Sequence, residues 1–391
     1  MRVKFDQVSF VLALFVLIYP IRGGDTLGFG FTPTVIVLSL LTGIFAVMKR
    51  RKYQPVLTDF IVAVYFMLSV LALFNAGFDA LSIDYFIKII ALSLFPYAII
   101  RYFGFSTEDG IRFLKIFPFF TIISALSMLI IVGPSNILGY SGFRLGTQAL
   151  NPVGVGYIFG IAAIISVFAL RLNVGNLYIT ISSISISILI LILTASRASI
   201  LGVAIVLALV SLARKNVTWR TFASVAAVGM VGYFAFASLS EAMLYDRFTR
   251  FQDSASVIAR YKSWTEATFM FAERPIFGHG LGAFETEYEE YVHNIILGHL
   301  ANGGLLLSLP LLVILFALLK LGFSYARHSA GQIVFLFAVL GVYSFFVRCF
   351  SFSMANTKEL FLFLALALCC EQDIKRRRNA FKMSRLADDM L

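Results

Sequence analysis

Apolar runs of membrane-spanning length follow one another from residue 8 to residue 371. A soluble core cannot hide that much apolar surface, and in lipid only helices and closed barrels satisfy their own backbone. Barrel strands alternate polar and apolar residues; these runs do not. Composition agrees. Apolar residues make up 60% of the chain and charged residues 14%, against about 25% charged in a typical soluble domain. The expected fold is an all-α polytopic membrane protein. A soluble globular domain, a disordered chain and a disulfide scaffold are excluded.

Twelve spans are expected, near 8–21, 31–48, 57–76, 84–100, 113–133, 152–170, 177–194, 198–213, 221–240, 294–319, 332–349 and 357–371. The first reads as a retained helix, because no small-residue cleavage site precedes the next span. The net charge of +11 is not a nucleic-acid signature, since the basic residues punctuate the apolar runs. With the N-terminus inside, 21 of the 32 Lys and Arg fall on cytoplasmic segments, among them Lys49 to Lys52, Arg101, Arg112, Arg327 and the tail from Lys375. That asymmetry predicts both termini in the cytoplasm. Cys349, Cys369 and Cys370 lie in or beside spans and form no disulfide framework.

Two outer segments stand out, 134–151 and 241–293. The second holds nine acidic and five basic residues and is the longest extramembrane piece. Within it, 255–272 reads as an amphipathic helix ended by Glu273-Arg274-Pro275, and a turn-rich GHGLGAF segment follows.

Several outer-face residues have chemistry to offer. Arg197 lies in a small-residue hairpin, LTASRASILG, on the face where cations are normally sparse. It reads either as a snorkelling arginine or as a forked, permanently charged donor suited to phosphate. Arg144, in GFRLGTQALNPVG, and Arg260, in the amphipathic helix, are further candidates; Arg247 and Arg250 are weaker ones. His293 precedes Asn294 at the outer mouth of the tenth span. An imidazole titrating near 6.5 can take a hydroxyl proton at neutral pH. His299, six residues further in, reads as facing either another side or a helix partner, His279 as a loop residue and His328 as cytoplasmic. The acidic run Glu285, Glu287, Glu289 and Glu290 reads as a solvated face, with a divalent-cation site as the alternative. No Gly-rich phosphate loop, metal-spaced Cys/His set or nucleophile elbow occurs.

Taken in order, four elements resemble the bacterial O-antigen ligase and O-antigen polymerase superfamily. They are FRLGTQALNPVG, LTASRASILG, RYKSWTEATFMFAERPIFGHGLGAF and HNIILGHLANGGLLL. Ala198 stands where the family has Gly, and Leu307 where it has another Gly, three residues after Gly304. The resemblance divides the chain into N-terminal spans (1–185), a ligase/polymerase-like domain (186–319) that includes the loop 241–293, and C-terminal spans with a basic tail (320–391). It implies a multi-span glycosyltransferase of the bacterial inner membrane, with its active site on the periplasmic face. The donor would be an undecaprenyl-diphosphate-linked glycan and the acceptor a glycan or lipid. Membrane lipids and a chain-length regulator would be partners, nucleic acid would not, and neither cofactor nor metal would be needed. Carried over residue by residue, the resemblance makes His293 the general base and Arg197 the catalytic cation. Arg144, Arg260, Arg247 and Asn294 would bind substrate. A polymerase and a ligase joining glycan to lipid A core share this chemistry. A carrier, such as a lipid-linked glycan flippase or a solute transporter, is the competing class. It needs ionisable groups near mid-membrane, whereas Asp84, Lys88 and Arg348 sit near span ends.

Overall fold

The computed structural model describes residues 7–22, 37, 54–132, 151–194, 196–212, 255–355 and 357–388. Every regular element among them is helical. In chain order these are α1 (Gln7–Arg22), α2 (Leu57–Asn75), α3 (Ala80–Ile89), α4 (Phe95–Phe103), α5 (Thr107–Val132), α6 (Pro152–Arg171) and α7 (Leu177–Leu193). Then come α8 (Arg197–Leu212), α9 (Ala255–Glu273), α10 (Ala283–Tyr288), α11 (Ile295–Tyr325), α12 (Gln332–Arg348) and α13 (Lys358–Asp388). A π-helical turn, Ile90–Leu94, joins α3 to α4, so the two cover one expected span. Ten expected spans coincide with helices; the other two, 31–48 and 221–240, lie outside the described residues apart from residue 37. Six of these helical segments are long and apolar enough to cross a membrane, and α7 and α8 are shorter apolar helices.

Short polar side chains start several helices by accepting from the unpaired first N–H groups. Asp79 accepts from Ser82 N at 2.6 Å, Asn151 from Val153 N at 2.9 Å, and Asn176 from Tyr178 N at 2.9 Å. Pro152 follows Asn151 at the first position of α6, where a missing N–H costs nothing.

The bundle has two chemically distinct ends. At one, Arg101 donates to both oxygens of Asp59 at 2.7 and 2.6 Å and to the Gln54 carbonyl, and Gln372 donates to that same carbonyl. Thr107 N donates to Asp373 there as well. At the other end, Asn75 donates to the Gly278 carbonyl, Leu281 N to the Ala72 carbonyl, and Ser353 to the Tyr85 hydroxyl. Arg101, expected on the cytoplasmic side, thus shares one end with Asp373. The segment from Gly278 onward, expected on the outer side, caps the other.

Helix α11 breaks at Gly304, which has φ 63° and ψ −163°. Backbone from 275–280 fills the break. Leu305 N and Leu306 N donate to the carbonyls of Pro275 and Ile276 at 2.9 and 3.2 Å. His279 N and Gly280 N donate to the carbonyls of Ala301 and Asn302 at 3.0 and 2.8 Å. Backbone that leaves the helix at membrane depth must find partners inside the protein, and these four bonds supply them. A Cβ on Gly304 would lie 2.3 Å from the Ile276 carbonyl oxygen, and one on Gly278 2.6 Å from Asn302 backbone. Only glycine lets the two segments approach so closely. Because α9 ends just before this plug, it is pinned to α11. Leu307, where the family has Gly, packs directly beneath Gly303 and is buried.

Candidate active site

Helix α9 packs its inner face on α11. Ala267 and Met270 of α9 form a small core with Phe284, Val292 and Ala301. Its outer face exposes Ile258, Tyr261 and Phe269 beside Lys262. The helix therefore buries Ala267 and Met270 while leaving several large apolar residues outside. Arg260 stands on this helix, half-buried, and its charge acts on Tyr291 and His293.

His293 precedes the first turn of α11 in a left-handed conformation, φ 58°. L-residues with a side chain enter that region only under local constraint. Two constraints flank it. The Tyr291 ring lies 4.1 Å from the imidazole, centroid to centroid. On the other side Asn294 caps α11, its Oδ1 accepting from Ile296 N at 2.9 Å and Leu297 N at 3.1 Å. That oxygen is committed to the helix, so a substrate contact from Asn294 falls to its Nδ2.

Burial, and then the positive charge of Arg260, lower the His293 pKa to about 4, with Glu290 pulling the other way. The imidazole is therefore neutral at pH 7 and has a lone pair for a proton. Burial also lowers the Arg260 pKa from its usual value, against a raising contribution from Tyr291. Arginine stays charged despite this. A neutral acceptor of protons thus sits within the field of a fixed cation.

Arg197 belongs to a second wall. It opens α8 and is half-buried. Ser196 and Ser199 beside it are 2.9 Å apart, oxygen to oxygen, and Gly156 of α6 packs on Thr194 and Ser196. This turn lies toward the His293 end of the bundle, since the Tyr157 ring beside it meets Phe352 and Met354 packs on Gly298 of α11. Arg144, Arg247 and Arg250 lie outside the described residues.

The other three histidines lie elsewhere. His299 is buried, with Nδ1 2.6 Å from the Ile295 carbonyl and Nε2 2.9 Å from the Tyr65 hydroxyl of α2. The carbonyl can only accept, so Nδ1 carries the proton and Nε2 accepts from Tyr65. His279 lies in the plug, 2.8 Å from the Met270 carbonyl, and His328 precedes α12 at the opposite end. The acidic run does not converge. Glu285 turns inward to Tyr85 and Asn302, and burial raises its pKa. Glu290 accepts from Ser263 at 3.1 Å, while Glu287 and Glu289 are exposed. Among the described residues, no group of three or more His, Cys, Asp or Glu is gathered for a metal ion.

Sequence reasoning passed over two features. Tyr291 is one, though it lies only two residues before His293. The other is a buried charge cluster of Arg348, Lys358 and Glu359. Its signal was present: Lys358-Glu359 opens an apolar run, and adjacent opposite charges at a span start call for a buried partner.

Residues 182–312 match the O-antigen ligase family. No curated protein and no solved structure matches the chain. The matched segment carries Arg197, Arg260, His293, Asn294 and the Gly304 break.

Proposed function

We propose, from the match of residues 182–312 to the O-antigen ligase family, that this chain is a membrane glycosyltransferase polymerising undecaprenyl-diphosphate-linked repeats. The proposal sets the basic end of the bundle in the cytoplasm and the His293 end in the periplasm of a bacterial inner membrane, on the Lys/Arg asymmetry. The single observation that carries the reading is the pairing of Arg260 with a neutral His293 inside the family-matched segment.

In the proposed reaction the donor diphosphate lies between Arg260 and Arg197, joined by Arg144 and Arg247. The acceptor hydroxyl approaches His293. Its oxygen attacks the anomeric carbon, its proton passes to the imidazole, and the anomeric carbon–oxygen bond breaks with its electrons going to the diphosphate. Forked cations stabilise the charge growing on the leaving group. Attack in one step inverts the anomeric centre. Bound diphosphate also screens His293 from Arg260, so donor binding itself raises the basicity of the imidazole. An apolar cavity of about 300 Å³ beside the α11 break, lined by Leu68, Leu71, Phe74, Phe277 and Leu306, has room for a few isoprene units of the polyprenyl chain.

The test gives purified protein lipid-diphosphate-linked single repeats alone. A polymerase makes a ladder, because one repeat serves as donor and another as acceptor. The family match carries a ligase description, which supports a second reading: no ladder, and transfer only once lipid A core is added. That outcome replaces the acceptor and keeps the donor chemistry.

A further inference from the structure

Three ionisable side chains are enclosed where α12 meets α13. Arg348, Lys358 and Glu359 are 1%, 0% and 3% exposed. Glu359 takes Arg348 on one oxygen at 2.6 Å and Lys358 on the other at 3.1 Å. A buried ion group adds little stability over well-packed apolar residues, and desolvating it is expensive. Its presence calls for a geometric reason, and the hydrogen bonds leading away from it give one.

Arg348 Nη1 donates to the Tyr157 hydroxyl at 2.6 Å, and the guanidinium lies over the Tyr157 ring. Tyr157 stacks on Tyr343, the rings 4° from parallel with centroids 5.7 Å apart. The Tyr343 hydroxyl donates to the Tyr157 carbonyl at 3.2 Å and lies beside Ser199. Ser199 lies in the first turn of α8, and its oxygen is 2.9 Å from that of Ser196. Arg197 sits between these two serines. Tyr343 is also held sterically. A Cβ on Gly160 would stand 1.9 Å from its hydroxyl, and one on Gly202 of α8 would stand 2.9 Å from its ring.

We propose that Arg348 and Glu359 are positioning residues for Arg197, acting through Tyr157, Tyr343 and Ser199. The inference rests on the reading of Arg197 as a ligand of the donor diphosphate. A forked donor serves a diphosphate only when its support is fixed to within roughly 0.5 Å, and a misplacement of about 1 Å can cost about a hundredfold in rate. A short hairpin turn cannot supply that rigidity alone. A tyrosine wedged between two glycines and tied to a buried ion pair can.

The test uses Tyr343→Phe, which removes one hydroxyl and keeps the ring, beside Arg348→Lys and Glu359→Gln. Affinity for undecaprenyl diphosphate is measured on full-length protein in nanodiscs. Tyr343→Phe should weaken binding about tenfold, the scale of one hydrogen bond linked to a charge. In an Arg197→Ala background it should weaken binding no further. A loss that adds to that of Arg197→Ala, or no loss at all, overturns the proposal. A second readout needs no donor. Arg197→Cys is labelled with an impermeant thiol reagent, native cysteines removed, with and without Tyr343→Phe and Arg348→Lys. The labelling rate at 197 should change severalfold, while that of Ala272→Cys on the exposed face of α9 should not. If the parent protein binds no undecaprenyl diphosphate, the glycosyltransferase reading fails, and an unchanged labelling rate would refute the positioning role separately.

Discussion

The coupling between Arg260 and His293 makes a prediction that a generic histidine base would not. A base accepts a proton only when neutral, so transfer is lost as pH falls through its pKa. At pH 5.5 an unshifted histidine is roughly nine-tenths protonated. With a pKa of about 4, the same imidazole stays roughly 97% neutral at pH 5.5. The acidic limb of kcat/KM, which reports the free protein, should therefore be flat from neutral pH to below 5.5. The limb of kcat reports the donor complex, in which diphosphate offsets the Arg260 charge, so it should lie higher. Arg260→Gln removes the second cause of the depression but not the first, which is burial. Its kcat/KM limb should move up from about 4 yet stay below 6.5, the unshifted value. The assay is transfer of a fluorescent lipid-linked repeat from pH 4.5 to 8, with each sample returned to neutral pH to exclude denaturation. The donor is a diphosphate diester and has no group titrating in that window. A kcat/KM limb near 6.5 in the unmodified protein would refute the depressed His293 pKa, and one that ignores Arg260→Gln would refute the coupling to Arg260.

Three further outcomes test the site and its frame. His293→Ala and Arg197→Ala should each abolish transfer at normal protein levels, and Arg197→Lys should fail too, since a point charge does not reproduce a bidentate fork; near-full activity in the lysine variant would reduce the role to charge anchoring. Cysteines introduced at 144 and 287 should react with an impermeant reagent added outside and one at 215 should not, position 287 being chosen because Glu287 is exposed whereas Glu285 turns inward; the reverse pattern would put the site in the cytoplasm. Gly304→Ala forces a side chain onto φ 63° and against the Ile276 carbonyl, so it should cost more than about 1 kcal/mol, read as a lower unfolding temperature in detergent; an unchanged midpoint would mean the plug bonds are not made.

How much of this the sequence held depends on how local each signal is. A span is announced by its own apolarity, so α6, α7 and α12 fall within a few residues of their expected limits. The glycines of GHGLGAF announce their turns in the same way, and Gly278, Gly280 and Gly282 all take positive φ. Pairing across the fold is not local. Arg260 and His293 are separated by a helix, a plug and a second helix, and only the order of motifs hinted that they meet. Nothing near Asn294 said that its oxygen is spent on a helix cap. The acidic run looked uniform, yet packing against Tyr85 and Ser263 separates its members.

The two walls of the site are rigid for different reasons, and the difference bears on mechanism. Arg260 and His293 are tied by backbone: four main-chain bonds lock the 275–280 plug into the α11 break, and any movement of α9 must unmake them. Arg197, on the positioning role proposed above, is tied by side chains, through a ladder that ends on a buried ion group. Backbone plugs tolerate substitution everywhere except at the glycines that admit them, whereas a side-chain ladder can be lost at any rung. If the donor diphosphate bridges the walls as proposed, base and near cation hold their spacing whatever the substrate, and the far cation is the adjustable partner. Variants along the ladder should then alter donor affinity before they alter the chemical step, and variants in the plug should do the opposite.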